Sequence, residues 1–130
     1  MKKKRFGLVV AIVLAGLSLQ AQDVFGPMRA AIKAGSAEQL SKHFNQKLDV
    51  DIEGNLNSFS KTQAVFALSE FFKAHPPTEF SIKHKGSSGG LQFAIGIYLS
   101  DQDTYSVLIR VKEVGSSQLI QQISIAKEKK

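Results

Sequence analysis

Between Glu79 and Lys127 the chain repeats one pattern four times: a run in which apolar side chains recur at every second position, followed by a short turn rich in Gly, Ser or Asp. Period two is the spacing of a strand whose successive side chains face opposite sides. The runs fall at residues 79–85, 91–100, 104–114 and 118–127, and turns this short join antiparallel neighbours. Pairing Phe80 with Ile95 sets Ile82 against Phe93 and His84 against Leu91. The next two hairpins then align Ile95, Ile109 and Ile123 in one row and Phe93, Val111 and Gln121 in another. One face of the meander is thereby apolar. The opposite face carries Ala94, Gly96, Tyr98, Ser106, Leu108, Arg110, Ser124 and Ala126, mostly small or polar. A sheet with one apolar face must bury it under another layer.

The preceding residues supply that layer. Residues 23–34 place Phe25, Met28 and Ile32 on one helical face, with Pro27 in the first turn and Gly35 as the stop. Ser36 and Gln39 form a capping-box pair, and Ala37, Leu40 and Phe44 make the buried stripe of a second helix. At residues 48–53 the period changes to two: Leu48, Val50 and Ile52 alternate with Asp49, Asp51 and Glu53, and residues 54–58 turn the chain. Ser60 and Gln63 open a third helix, which stacks Val65, Leu68, Phe71 and Phe72 before Pro76 and Pro77 end it. Phe66 falls outside that stripe. Three helices on one face of an antiparallel sheet make an α+β fold.

The first residues concern location. Lys2, Lys3, Lys4 and Arg5 precede an uncharged apolar run from Phe6 to Leu19, and Ala21 stands where a signal peptidase would cut. The run is shorter than the ~20 apolar residues that cross a bilayer. Residues 1–21 therefore predict an export signal, residues 22–126 a single domain and residues 127–130 a basic tail. The absence of cysteine excludes disulfides, thiolate metal sites, a cysteine nucleophile and a lipid-attachment point, so the processed chain is expected free in the periplasm or outside the cell, without a membrane anchor. Four of the 17 Lys+Arg lie in the signal. The remaining 13 face all 11 Asp+Glu, a net charge of +2, which removes the argument for nucleic acid as a partner.

Helix, helix, short strand pair, helix and long meander together resemble the nuclear transport factor 2-like (cystatin-like) superfold, a cone in which a curved sheet wraps around three helices. The strings Asp23-Val-Phe-Gly-Pro, Ala31-Ile-Lys-Ala-Gly35, Phe71-Phe-Lys ahead of Pro76-Pro77, and His84-Lys-Gly-Ser-Ser88 look like a family of small exported bacterial proteins of undetermined function. The superfold hosts isomerases, dehydratases, cyclases and non-catalytic modules, so it does not choose among them. Its ketosteroid-isomerase-like enzymes project acidic residues and a tyrosine into the cone, and this sequence offers no matching carboxylate dyad.

Few residues invite chemistry. Asp49, Asp51, Glu53 and Gly54 imitate the start of a calcium loop, but Ser60 occupies the place of the bidentate glutamate. Strand parity sends Asp49 and Asp51 away from the core, which removes them as an acid/base pair. His75 suits the carbonyl end of a helix dipole, and His43 flanks a buried stripe. The meander register turns His84 inward, with Glu113 and Gln121 toward the same end, as a polar lip for a ligand. Tyr105 is the other inward polar candidate, at the opposite end of the cone. Lys83, Lys85, Arg110 and Lys112 read as a solvated strip, and the 86–90 turn lacks the following helix that phosphate binding uses. The expected role is non-catalytic binding of a small apolar ligand or a protein partner, with His84, Glu113, Gln121 and Tyr105 as ligand-binding candidates. No catalytic residue, metal or cofactor is assigned. One alternative is homodimerisation through the outer sheet face, whose small residues Ala94, Gly96, Ser106 and Ser124 admit a second layer. The other is an isomerase- or dehydratase-like enzyme built around His84.

Overall fold

The computed structural model describes residues 24–129, so the expected export signal lies outside the described residues. Helix α1 (Gly26–Lys33) buries Met28, Ala31 and Ile32. It ends at Gly35, whose φ of +68° is the left-handed conformation that glycine adopts without steric cost. Helix α2 (Ala37–Ser41) is barely more than one turn, opened by the Ser36 hydroxyl, which accepts the Gln39 N–H at 3.1 Å. Phe44 does not belong to it. That residue instead starts strand β1 (Phe44–Ile52) and is fully buried there.

Helix α3 (Lys61–Ala74) is capped reciprocally, Gln63 N–H to Ser60 Oγ at 3.3 Å and Ser60 N–H to Gln63 Oε1 at 3.0 Å. Such a box satisfies two backbone donors that the first helical turn leaves free. Ala64, Leu68, Phe71 and Phe72 face the core, Val65 packs at its margin, and Phe66 is 70% exposed.

The sheet contains β1, β2 (Asn55–Ser60), β3 (Glu79–Ser88), β4 (Leu91–Ser100), β5 (Asp103–Val114) and β6 (Ser117–Lys127), in the order β2-β1-β6-β5-β4-β3. Every pairing is antiparallel except that of β1 with β6. It is a curved, unclosed sheet over three helices, as the α+β expectation required. The turn expected at 54–58 is only Glu53-Gly54, and the following residues form β2, paired to β1 through Leu48 and Phe59.

Register brings the main correction. Phe80 pairs with Tyr98, Ile82 with Gly96 and His84 with Ile95, with an irregularity at Lys83. Ala94, Ile109 and Ile123 share a row, so β4 turns Ala94, Gly96, Tyr98 and Ser100 inward and leaves Phe93 and Ile95 outside. The physical reason sits at Gly96: a Cβ there would lie 2.7 Å from the Phe80 ring and 2.8 Å from the Ser81 carbonyl oxygen. Only a strand with glycine at that point lets Phe80 close over the inner face. Strand β5 follows expectation, with Tyr105, Val107, Ile109 and Val111 buried. In β6 a second irregularity skips Gln121, so Ile120 joins Ile123 and Ile125 in the core. The sheet also reaches into the expected tail: Lys127 closes β6, and Glu128 N–H donates to the Thr104 carbonyl at 2.8 Å.

Candidate functional site

Two features stand out from the packed interior, a polar cluster where α3 ends and the outer face of the sheet, which no helix covers among the described residues. Pro76 and Pro77 cannot continue a helix, so α3 stops at His75, leaving carbonyls without helical donors. Side chains from the sheet meet them. Tyr98 Oη donates to the His75 carbonyl at 2.5 Å, and Ser100 Oγ donates to the Pro76 carbonyl at 2.8 Å. Tyr105 Oη lies 3.1 Å from His75 Nδ1. Phe71 packs against all three rings, with centroids 5.0 Å from His75, 5.6 Å from Tyr98 and 5.1 Å from Tyr105.

Burial raises the pKa of both phenols, assisted at Tyr98 by Tyr105 and at Tyr105 by the charges of Asp103 and Glu53, against which Lys127 acts. Both hydroxyls therefore stay protonated near neutral pH and serve as hydrogen-bonding groups. A cleft of about 480 Å³ beside them is lined by His75, Pro76, Thr78, Ser100, Asp101 and Asp103. Lys127 Nζ and Asp103 meet at 3.4 Å on its margin. Among the described residues no group of three or more His, Asp or Glu is placed to hold a metal.

The four residues singled out in the sequence do not converge. His84 is exposed on the outer face opposite Ile95, because the Lys83 irregularity and the true register reverse its side. Glu113 is exposed beside the β5–β6 turn, opposite Gln118. Gln121 is half-buried at the β6 irregularity. Tyr105 is inward and 1% exposed, at the other end of β5 from Glu113. Three residues of the polar cluster escaped the sequence reading: Tyr98, assigned to the wrong face, Ser100, and His75 as a partner of Tyr105. The half-buried His43 is held in place through its backbone, its carbonyl accepting the Ile120 N–H at 2.6 Å. Burial, then neighbouring Lys42, lowers its imidazole pKa.

The helices pack on the inner face, where the core lies, so the outer face depends on its own side chains. Leu91, Phe93, Ile95, Ile97 and Leu108 are half-buried there. A depression of about 460 Å³ is lined by Ser88, Leu91, Phe93, Ile95, Leu108 and Arg110. The Phe93 ring lies over Gly86, where a Cβ would be 2.6 Å from it. Farther across, β1 presents Asp49 and Asp51, and β2 presents Leu56, 61% exposed.

Residues 25–126 match the sequence family described as "Domain of unknown function (DUF4783)". The chain belongs to this DUF4783 family. A DUF4783 family protein from Bacteroides ovatus is similar to it at 28% identity, with 84% of this chain and 99% of that chain covered and a TM-score of 0.79. An NTF2-like protein of unknown function from Shewanella baltica shares the fold at 9% identity, 83% and 90% coverage and a TM-score of 0.63. So does a Nostoc punctiforme domain of unknown function with a cystatin-like fold, at 12% identity, 87% and 78% coverage and a TM-score of 0.65. No match was found among curated proteins. The fold is thus the NTF2-like one that the element order suggested, in a bacterial family described as of unknown function.

Proposed function

We propose that this chain is an exported, non-catalytic binding module that docks a protein partner on the outer face of its sheet. The supporting observation is the band of Leu91, Phe93, Ile95, Ile97 and Leu108, half-exposed on a face over which no helix lies among the described residues. Contiguous apolar surface rimmed by charge is the usual composition of an interaction site. Arg110 and His84 lie on that face beside the band, and Asp49 and Asp51 beyond it.

A small apolar ligand inside the cone has less support, since Phe71, Phe72, Phe80, Tyr98 and Tyr105 occupy that space as buried side chains. An enzyme built around His84 would need that imidazole in a pocket, and it stands in solvent. Site-specific photocrosslinking in cells tests the docking reading, with a benzophenone amino acid at Ile95 or, as control, at exposed Lys73 on α3. A discrete protein adduct is expected from Ile95 and not from Lys73. Equal labelling at both positions, no adduct at Ile95, or a small molecule retained by the purified chain in native mass spectrometry would overturn it. Intact-mass measurement of the same material tests export, with Gln22 expected at the N-terminus.

A further inference from the structure

We infer that the partner seated on the outer face is an amphipathic helix of another protein, lying along β4 with acidic side chains in its C-terminal half. The inference rests on the docking reading above and adds the shape, charge and direction of the occupant. Strand β4 sends Leu91, Phe93, Ile95, Ile97 and Leu99 to the outer side as one uninterrupted apolar column, half-buried throughout. Eight steps of ~3.4 Å make that column about 27 Å long, which a helix spans in roughly 18 residues. Neighbours along it are small at several positions: pairing puts Ser81 of β3 and Ser106 of β5 beside Ile97, and Gly86 of β3 beside Phe93. A helix about 10 Å across covers β4 and reaches both adjoining strands, which stand ~4.8 Å to either side.

Backbone chemistry selects a helix over an extended segment. The hydrogen bonds of a sheet lie in its plane, so a strand laid on the face would press unpaired N–H and C=O groups onto apolar side chains, whereas a helix pairs its own. The charges set its direction. At the Leu91 end, Lys112 stands beside Leu91 and Arg110 beside Phe93, both exposed on the outer side of β5. The only ion pair among the described residues is that of Lys127 with Asp103, which leaves both of these cations unpaired there. At the other end, Glu79 is exposed beside Leu99. The negative, C-terminal end of a helix dipole therefore belongs over Arg110 and Lys112, and its positive N-terminus over Glu79. Acidic side chains in the C-terminal half add to the first attraction. An anionic lipid surface fits less well, because Asp49, Asp51 and Glu79 share the face with Arg110 and Lys112.

Fluorescence anisotropy with two labelled peptides of about 18 residues tests this. Both carry the same leucine stripe at helical spacing, flanked in the C-terminal half by Glu in one and by Lys in the other. The unaltered chain should bind the Glu peptide about tenfold or more tighter, since each exposed charge contact changes sign between the two. Arg110→Glu/Lys112→Glu, at exposed positions, should invert that preference, and circular dichroism melts check that this variant folds. A benzophenone at the C-terminal end of the Glu peptide should label residues 91–93 or 110–112. Equal affinity for the two peptides, an unchanged preference in the double variant, labelling near Glu79, or binding to phosphatidylglycerol vesicles with neither peptide bound would each overturn the assignment. The in-cell adduct separates it from the docking reading. An adduct at Ile95 that survives Arg110→Glu/Lys112→Glu removes the acidic helix and leaves docking in place, whereas no adduct from the chain with its own charges removes docking itself.

Discussion

Tyr98 closes the end of α3 and completes the inner face of β4. Its hydroxyl meets a helix-end carbonyl, and its ring packs against Phe71 and stacks on Phe72 at 6.1 Å. Tyr98→Phe keeps the ring and strands the carbonyl, so equilibrium denaturation should show a loss of about 1–2 kcal/mol. An unchanged midpoint would mean that solvent replaces the hydroxyl. The raised phenol pKa values also predict an alkaline effect. Above the ordinary tyrosine value of 10.0 the unfolded chain releases phenolic protons that the native state retains. The unfolded state then binds fewer protons, so stability is complete below pH 10 and falls as pH rises toward the native values, by up to ~1.4 kcal/mol per pH unit for each tyrosine. Denaturation at pH 8 and at about pH 11 should show a smaller drop for Tyr98→Phe than for the unaltered chain. Little of this cluster could be read from sequence. The Tyr105–His75 contact joins residues 30 apart, and no local pattern announces it.

At the scale of elements, legibility depended on whether one parity of a run was more apolar than the other. Strand β5 is polar on its outer side apart from Leu108, and the alternation identifies its buried residues Tyr105, Ile109 and Val111 correctly. Strand β4 reads Leu-Gln-Phe-Ala-Ile-Gly-Ile-Tyr-Leu-Ser, apolar at both parities, so periodicity could not choose its face. The deciding contact, Phe80 over Gly96, is tertiary. Irregularities at Lys83 and Gln121 then moved His84 and Gln121 off the inner face. Strand β2 looked like a turn because Asn-Leu-Asn-Ser-Phe-Ser has weak strand propensity, and β1 recruits it through pairing. By contrast, the Ser60–Gln63 box is a local signal and was read correctly. The corrected faces make a comparative prediction. Ile109→Ala, in the core, should cost about 2–5 kcal/mol, whereas Ile95→Ala, outside, should cost under ~1 kcal/mol in the monomer. Gly96→Ala should cost about 1–3 kcal/mol by pushing a methyl into Phe80. Denaturant melts on the three variants decide it, and equal losses at Ile95 and Ile109 would restore the opposite face assignment.

For the whole molecule, the inner face is consumed by folding and the outer face is left for something else. Every buried apolar side chain among the described residues lies between Phe25 and Ile125, nearly coincident with the family match at 25–126. Self-association through the outer face, the alternative that the small residues of that face raised, would give stability two sources: the core of each copy, and assembly. A partner that binds only the native state stabilises it by mass action, so the melting temperature must rise with protein concentration. Core mutations and interface mutations separate on that axis. Ile109→Ala should lower the melting temperature at every concentration and keep its concentration dependence. Arg110→Asp should leave the low-concentration value nearly unchanged and flatten the dependence, because its side chain is exposed in the monomer. Calorimetric scans at several concentrations measure both quantities. A flat response from the unaltered chain would show that its outer face contributes nothing to stability through self-association.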